Sequence, residues 1–288
     1  MEELDNYINQ VKHLPPAPRI LPLLLQILHE PDTDSSKVVE LVSLDPGLTA
    51  NVLQLCNSAY FASAMQVVDI HEAITRLGFQ PVYQLVAAIS GARALSPPQK
   101  GYGIDKSELW KHSVTSAVAA QLIARDKHED ENIVFTAALL HDIGKIVLSE
   151  ALEHIYTKLN AEIEEKQASL LEAEKNLLGV QHAEIGGRLL ARWKFPDSLV
   201  TAVWYHHDPM AAEPHQTIAS YVYVGNMIAY FMGFGYGHHA FAFRGRAEAL
   251  ECIGLKSEQI AVYMIRTFEQ MQFIEMMIRQ GEMGHEQI

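Results

Sequence analysis

The feature that most constrains this chain is its rhythm. Apolar residues recur three or four positions apart, and Pro, Gly, Asp or Ser soon stops each run. Apolar–polar alternation is almost absent, so no sheet is on offer to cover these faces. Helix-on-helix packing is the solution left, and the fold class expected is all-α. Residues 19–29 carry one run, after a stiff approach through Pro15, Pro16 and Pro18 and before a stop at Pro31 and Asp32. Asp34 or Ser35 suits the cap of the next helix, with Val38, Val39, Val42 and Leu44 on its face. Asp45 suits the cap of a helix from Pro46 to about Ala59, burying Leu48, Val52, Leu55 and Cys56. Asn57 is expected to satisfy backbone in the turn before Tyr60 and Phe61. Asp69 and Glu72 have capping-box spacing, Ile74 and Leu77 supply the apolar face behind them, and Gly78 is a stop. Pro81 fits the first turn of a helix that continues to about Leu95.

Ser96, Pro97, Pro98, Gly101 and Gly103 form the best boundary, which predicts two lobes: an N-terminal helical subdomain over 1–100 and a second helical domain over 101–288. Helices are expected at about 107–126, 131–142, 151–178, 182–193, 196–207 and 216–232. The 151–178 stretch is so charged that it reads as an insertion at the surface, a hairpin or one long helix, with a solvated face. The segment 232–243, MGFGYGHHAFAF, reads as a loop with His238 and His239 on the surface. Helix returns over 257–279 as a C-terminal extension, where Met264, Met271, Met276 and Met277 fill a core or groove or form a partner-binding stripe.

Apolar residues make up 49% of the 288 and charged residues 20%, the balance of a chain with a packed core. Acids outnumber bases 35 to 22, and a net charge of −13 repels nucleic acid and anionic lipid, so no nucleic-acid partner is expected. The start of the chain lacks the pattern of a secretory signal, and no uninterrupted apolar run of about 18 residues suggests membrane insertion. Cys56 and Cys252 are too few for a disulfide scaffold, and the chain is expected in the cytoplasm.

The chemistry-bearing residues are dispersed. His141 and Asp142 end an apolar helix in NIVFTAALLHDIGK. Adjacent helical side chains diverge by about 100°, so both reach one ion only at a distorted helix end, which Gly144 makes plausible. His112 lies among apolar neighbours, where a single histidine is most simply a satisfied core residue. His182 opens a helix whose Gly186–Gly187 pair allows close packing, and His206–His207 follow the apolar run LVTAVWY. Imidazoles with a carboxylate suit one or two divalent ions, Fe, Mn, Ni or Zn among them. Arg76, Arg188 and Arg192 read as surface ion-pair residues, with a ligand phosphate the alternative, and Trp193, Phe195 and Trp204 as aromatics between helices.

Taken in order, these motifs resemble a known family. LPPAPRILPLLLQILHEP, VVELVSLDPGLTANVLQLCNSAYF, DIHEAITRLGFQPVYQLVAA, LWKHS, AALLHDIGKIVL, HAEIGGRLLARWKFP and AVWYHHDP together resemble the HDOD proteins, the HD-related output domains of bacterial signalling. The second domain is similar to the HD superfamily of metal-dependent phosphohydrolases. The resemblance covers roughly residues 14–230 and implies His112, His141 and Asp142 as ligands of a first metal. It implies His182, His206 and His207 as ligands in the two-metal branch, and Lys145 as a phosphate contact. Asn226 stands where the family's late aspartate belongs, and its amide offers only a neutral oxygen, a weaker ligand. The GYP signature of cyclic-di-GMP phosphodiesterases is missing, since Pro209 and Met210 follow Asp208.

Two functions follow from the resemblance. One is a regulatory protein that acts on a signalling protein partner and binds metal with little or no hydrolysis. The other is an active phosphohydrolase on a nucleotide or cyclic nucleotide, with Asp142 and Lys145 in catalytic roles. The sequence leaves the oligomeric state open.

Overall fold

A computed structural model describes residues 2–10, 20–28, 35–57, 67–166, 168–234 and 246–283. The expectations for Pro15, Pro16, Pro18, Pro31, Asp32, Asp34, Tyr60, Phe61, His238 and His239 lie outside these residues, as do those for the side chains of Ser35, Leu55, Met276 and Met277. The regular elements among the described residues are all helices, with one isolated bridge, Gln99 to Ile104, as their only β pairing. In chain order the helices are α1 (Glu2–Gln10), α2 (Ile20–Leu28), α3 (Ser35–Ser43), α4 (Pro46–Cys56), α5 (Ile70–Leu77) and α6 (Phe79–Leu95). Then come α7 (Glu108–Asp126), α8 (Glu131–Leu140), α9 (Gly144–Leu152), α10 (Tyr156–Glu164), α11 (Leu170–Leu178) and α12 (His182–Arg192). The last four are α13 (Asp197–Trp204), α14 (Gln216–Phe231), α15 (Ala247–Cys252) and α16 (Ile260–Met283).

The chain divides into two compact units, Met1–Ala17 with Gly91–Ile265, and Pro18–Ser90 with Arg266–Ile288. The sequence-based division at 100/101 keeps α1 with the first lobe and all of α16 with the second, whereas contacts assign α1 and most of α16 the other way.

In the smaller unit, α3 packs against α2, α4 and α5. Val38, Val42, Leu48, Val52 and Cys56 are buried as their spacing predicts. Leu44 is not: it falls in the turn after α3 and is 74% exposed, because the helical period that would carry it inward has ended. Asp45 Oδ1 accepts from Leu48 N at 2.9 Å and so caps α4. Asn57 Oδ1 accepts from Val67 N, and its amide donates to Leu53 O and Val67 O. Asp69 caps α5 through Glu72 N at 2.7 Å, while Glu72 reaches back to Val68 N.

The larger unit is built on α7 and α14. From Leu109 to Ala124 every residue of α7 except Lys111 is buried, as is all of α14 from Ala219 to Ala229. A helix buried all round is a central helix. Small residues let the two meet, since a Cβ on Gly225 would overlap the Ser116 carbonyl oxygen. α8 packs on α7 and α14, α12 on α9 and α13, and α1 on α12 and α9. Arg188 clasps Asp5 through two bonds of 2.9 and 2.7 Å, and Arg192 bonds Asn9, so both are ion-pair or surface contacts to α1. Arg76 likewise pairs with Glu72. An 18-residue window within 131–164 is apolar enough for a membrane span, but 83% of it is buried inside the molecule, as in a core helix. The charged 151–178 stretch is a hairpin, α10 against α11, with the Ser169–Glu172 capping box opening its second arm.

Candidate metal centre

The HD pair sits where the helical ladder breaks. α8 ends at Leu140, His141–Ile143 form a turn, and α9 starts at Gly144. Tight three-residue bonds, Ile143 N to Leu140 O and Lys145 N to Asp142 O, both 3.0 Å, rotate His141 and Asp142 toward one point. Gly144 is required there: a Cβ would overlap the His182 carbonyl oxygen, so only glycine lets α9 start against α12. Gly187 similarly admits the Trp204 ring.

Six predicted residues converge. His112, His141, Asp142, His182 and His206 are each no more than 1% exposed, and His207 is half-buried. Their ligand atoms form two groups, His112 with His141 and Asp142, and His182 with His206 and His207, each within 4.8 Å. Asp142 lies between the two. Its Oδ2 is 3.4 Å from His141 Nε2 and 3.7 Å from His112 Nε2, while its Oδ1 is 3.2 Å from His182 Nε2 and 3.8 Å from His206 Nε2.

The tautomers decide what these contacts mean. A backbone carbonyl only accepts, so a ring nitrogen bonded to one must carry the proton. His141 Nδ1 donates to Ala138 O, His206 Nδ1 to Val203 O and His112 Nδ1 to Phe234 O, all at 2.7 Å. In the neutral rings, Nε2 is therefore a lone pair aimed at a carboxylate oxygen. His141 Nε2, His206 Nε2, Asp142 Oδ1 and Asn226 Oδ1 are buried with no hydrogen-bond partner. Acceptors facing acceptors in a dry interior repel unless a cation stands among them. His182 Nε2 and His207 Nε2 are 3.0 Å apart, within hydrogen-bond reach of each other, and two nitrogens ~2.1 Å from one ion span ~3.0–3.4 Å between right-angled and tetrahedral geometry. The donor set therefore fits one or two divalent ions.

The charges agree. Burial alone would raise the Asp142 carboxyl, but His141 and Lys145 beside it hold it well below the usual carboxylate range. Burial pushes His112 down to about 3, with His141 adding to the effect. Burial and neighbouring rings push His206 and His207 well below the usual imidazole value, which keeps them neutral and able to ligate. Lys145 is buried and donates to Asp142 Oδ2 at 2.7 Å. Burial works against its charge, but Asp142, with Tyr230 and Glu174 adding to it, raises it on balance.

Asn226 lies on α14, 1% exposed, one turn before Tyr230, whose ring sits 4.9 Å from that of His112. Sequence reasoning missed Glu174. It lies in the hairpin expected to be solvated, yet it is fully buried. It accepts from His182 N at 2.8 Å and from Tyr102 Oη at 2.7 Å, and His182 Nδ1 is 2.9 Å from both its oxygens. The available signal was the apolar spacing of LLEAEKNLL, which turns part of that arm inward.

The HDOD domain family matches residues 14–209, about two thirds of the chain. The chain belongs to the HDOD family. Solved structures agree on the fold. An HDOD domain protein of unknown function from Geobacter sulfurreducens is 21% identical, with TM-score 0.74 and coverage of 94% of this chain and 95% of that one. A candidate phosphohydrolase from Shewanella amazonensis SB2B is 26% identical, with TM-score 0.71 and coverage of 95% and 97%. A candidate signal-transduction protein from Marinobacter aquaeolei VT8 is 23% identical, with TM-score 0.75, and this chain spans 65% of its length. An uncharacterised protein of Treponema pallidum (strain Nichols) is 26% identical over 227 residues, which are 78% of this chain and 44% of that protein. This HDOD chain thus spans less than half the length of that curated relative. The HDOD match stops before α14, so Asn226 is placed by its burial and by its helix.

Proposed function

We propose that this HDOD protein is a cytoplasmic signalling regulator that acts by binding a protein partner, with one or two divalent ions held at its His/Asp centre and little or no hydrolysis. The observation that carries this is enclosure. His112, His141, Asp142, Lys145, His182 and His206 are all at most 1% exposed, and the Lys145 ammonium is engaged by Asp142. A lysine held in this way is not poised for an incoming phosphate. The HDOD match also includes residues 18–90 of the smaller unit, which contain none of the ligands and which metal chemistry does not require. A relative described as a candidate signal-transduction protein supports the same reading.

The full histidine set favours a second reading, a metal-dependent phosphohydrolase, in keeping with the description of the Shewanella relative. In that role a divalent ion supplies Lewis acidity and an activated water. Asp142 holds both groups of ligands together, and Lys145, released from it, neutralises the phosphate. The two readings separate in one pair of assays. Affinity capture with the wild type and the His141→Ala/Asp142→Ala variant is expected to retain the same specific partner. A phosphodiester and phosphomonoester screen with Mn or Fe is expected to show no turnover. Metal-dependent hydrolysis that vanishes in the variant would replace the first reading with the second.

A further inference from the structure

Three of the rings are held by the backbone, and His182 is held by a side chain. His112, His141 and His206 donate Nδ1–H to carbonyl oxygens that no point substitution removes. The counterpart at His182 is the Glu174 carboxylate, on a different helix. A buried carboxylate without donors is strongly disfavoured. Among the described residues Glu174 has them from two sources: the backbone N–H and ring of His182, and Tyr102 Oη.

Tyr102 is itself set by a rigid turn. It is 3% exposed, in the short helical turn closed by the Gln99–Ile104 bridge. Gly101 N donates to Ser149 Oγ at 3.1 Å, and a Cβ on Gly101 would overlap the Ser149 carbonyl oxygen. The turn is pressed onto α9, so the phenol has one direction in which to donate.

We infer that Glu174, held in place by Tyr102, is the positioning residue of the His182–His206–His207 group: it fixes His182 with Nδ1–H outward and Nε2 presented to the ion. This rests on the metal-binding reading above. A carboxylate behind a ligating imidazole fixes its tautomer and raises its basicity, and losing it typically weakens metal binding by about 10–100-fold. The same carboxylate accepts the His182 N–H, one of the unsatisfied donors at the start of α12, so ring and helix end are oriented together.

The test uses the full chain, stripped with chelator. Glu174→Gln keeps the volume and one carbonyl acceptor, Glu174→Met keeps the volume alone, and Tyr102→Phe leaves the carboxylate but removes its outer donor. Zinc titration against a competing chelator is expected to show one zinc site weakened by about 10–100-fold in Glu174→Met. Glu174→Gln is expected to recover part of that loss, and Tyr102→Phe to weaken the site a few-fold. In zinc-free protein, long-range 1H–15N imidazole spectra should show His182 protonated at Nδ1 in the wild type. Glu174→Met should shift it toward the other tautomer. Unchanged zinc affinity in all three variants, with His182 still protonated at Nδ1, would overturn the inference. If the wild type takes up none of Zn, Mn, Fe and Ni, the metal reading fails, while the tautomer spectra still decide the role of Glu174. If the Glu174 variants do not fold, Tyr102→Phe decides it by the same two readouts.

Discussion

The two groups of ligands are alike in residue type and opposite in surroundings. Around His112 and His141, the shared carboxylate is already engaged by the Lys145 ammonium, and the expected late acid is the neutral Asn226. Around His182, His206 and His207, a second carboxylate, Glu174, stands behind the ring. Glu174 therefore adds negative charge beside the second group and Asn226 adds none beside the first, while the Lys145 charge reaches rings of both. The difference teaches that counting histidines does not rank metal sites. The charges one shell further out set the order in which they fill, and they predict that the second group binds first.

The largest effect is expected from removing the atom pair that both groups share. Asp142→Asn takes away the carboxylate between them and leaves Lys145 buried without its counter-charge. Breaking one side of such a pair costs about 3–5 kcal/mol. Urea unfolding should show that loss, and metal analysis should show both groups emptied. Retention of a full metal complement would mean that Asp142 does not join them.

A smaller change sharpens the contrast. Asn226→Asp returns a negative charge to the α14 position one turn from Tyr230, whose ring lies on His112. Affinity for a divalent ion in the first group is expected to rise about tenfold, equal to about 1.4 kcal/mol. The chelator-stripped variant is expected to be less stable than the wild type, because the new carboxylate is buried without a partner. Calorimetric titration and thermal melting read the two directions separately. An unchanged affinity would show that position 226 does not reach the ion.

The smallest effect concerns the scaffold of the second group. The Arg188 hydrogen bond lowers the pKa of Asp5 and ties α1 to α12, the helix that His182 opens. A carboxyl with a lowered folded pKa stabilises above its unfolded value and loses that contribution as pH falls through the folded one. Asp5→Asn should therefore lower the melting temperature slightly at neutral pH, with the gap to wild type closing on acidification below the model-peptide value of 3.8. A gap that does not depend on pH would mean that the contact works by packing alone.

Much of this was legible in the sequence because the signals are local. The helical period and its stops placed α2 to α6 and most later helices, and Asp45 and Asp69 cap as their spacing implied. The histidines and Asp142 were legible through residue type and motif order, and the Gly after Ile143 did mark the bend that turns the HD pair inward. What could not be read was long-range. Nothing local in Glu2–Gln10 announces a helix that docks on α12, because its anchor is Arg188, far along the chain. Glu174 reads as one charge among many in a charged arm, and only the tertiary approach of His182 and Tyr102 makes it a buried acceptor. Lys145 was read from motif order as a phosphate contact, and its hydrogen bond to Asp142 from the first turn of α9 had no local sequence signal.

The central claim is that facing acceptors around Asp142 constitute a metal centre. Its most direct test is metal content by inductively coupled plasma mass spectrometry. Protein purified without chelator or polyhistidine tag would be compared with the His141→Ala/Asp142→Ala variant. Near-stoichiometric metal is expected in the wild type, and its loss in the variant. Less than about 0.1 ion per chain in the wild type, with no uptake from Mn, Fe, Ni or Zn, would contradict it.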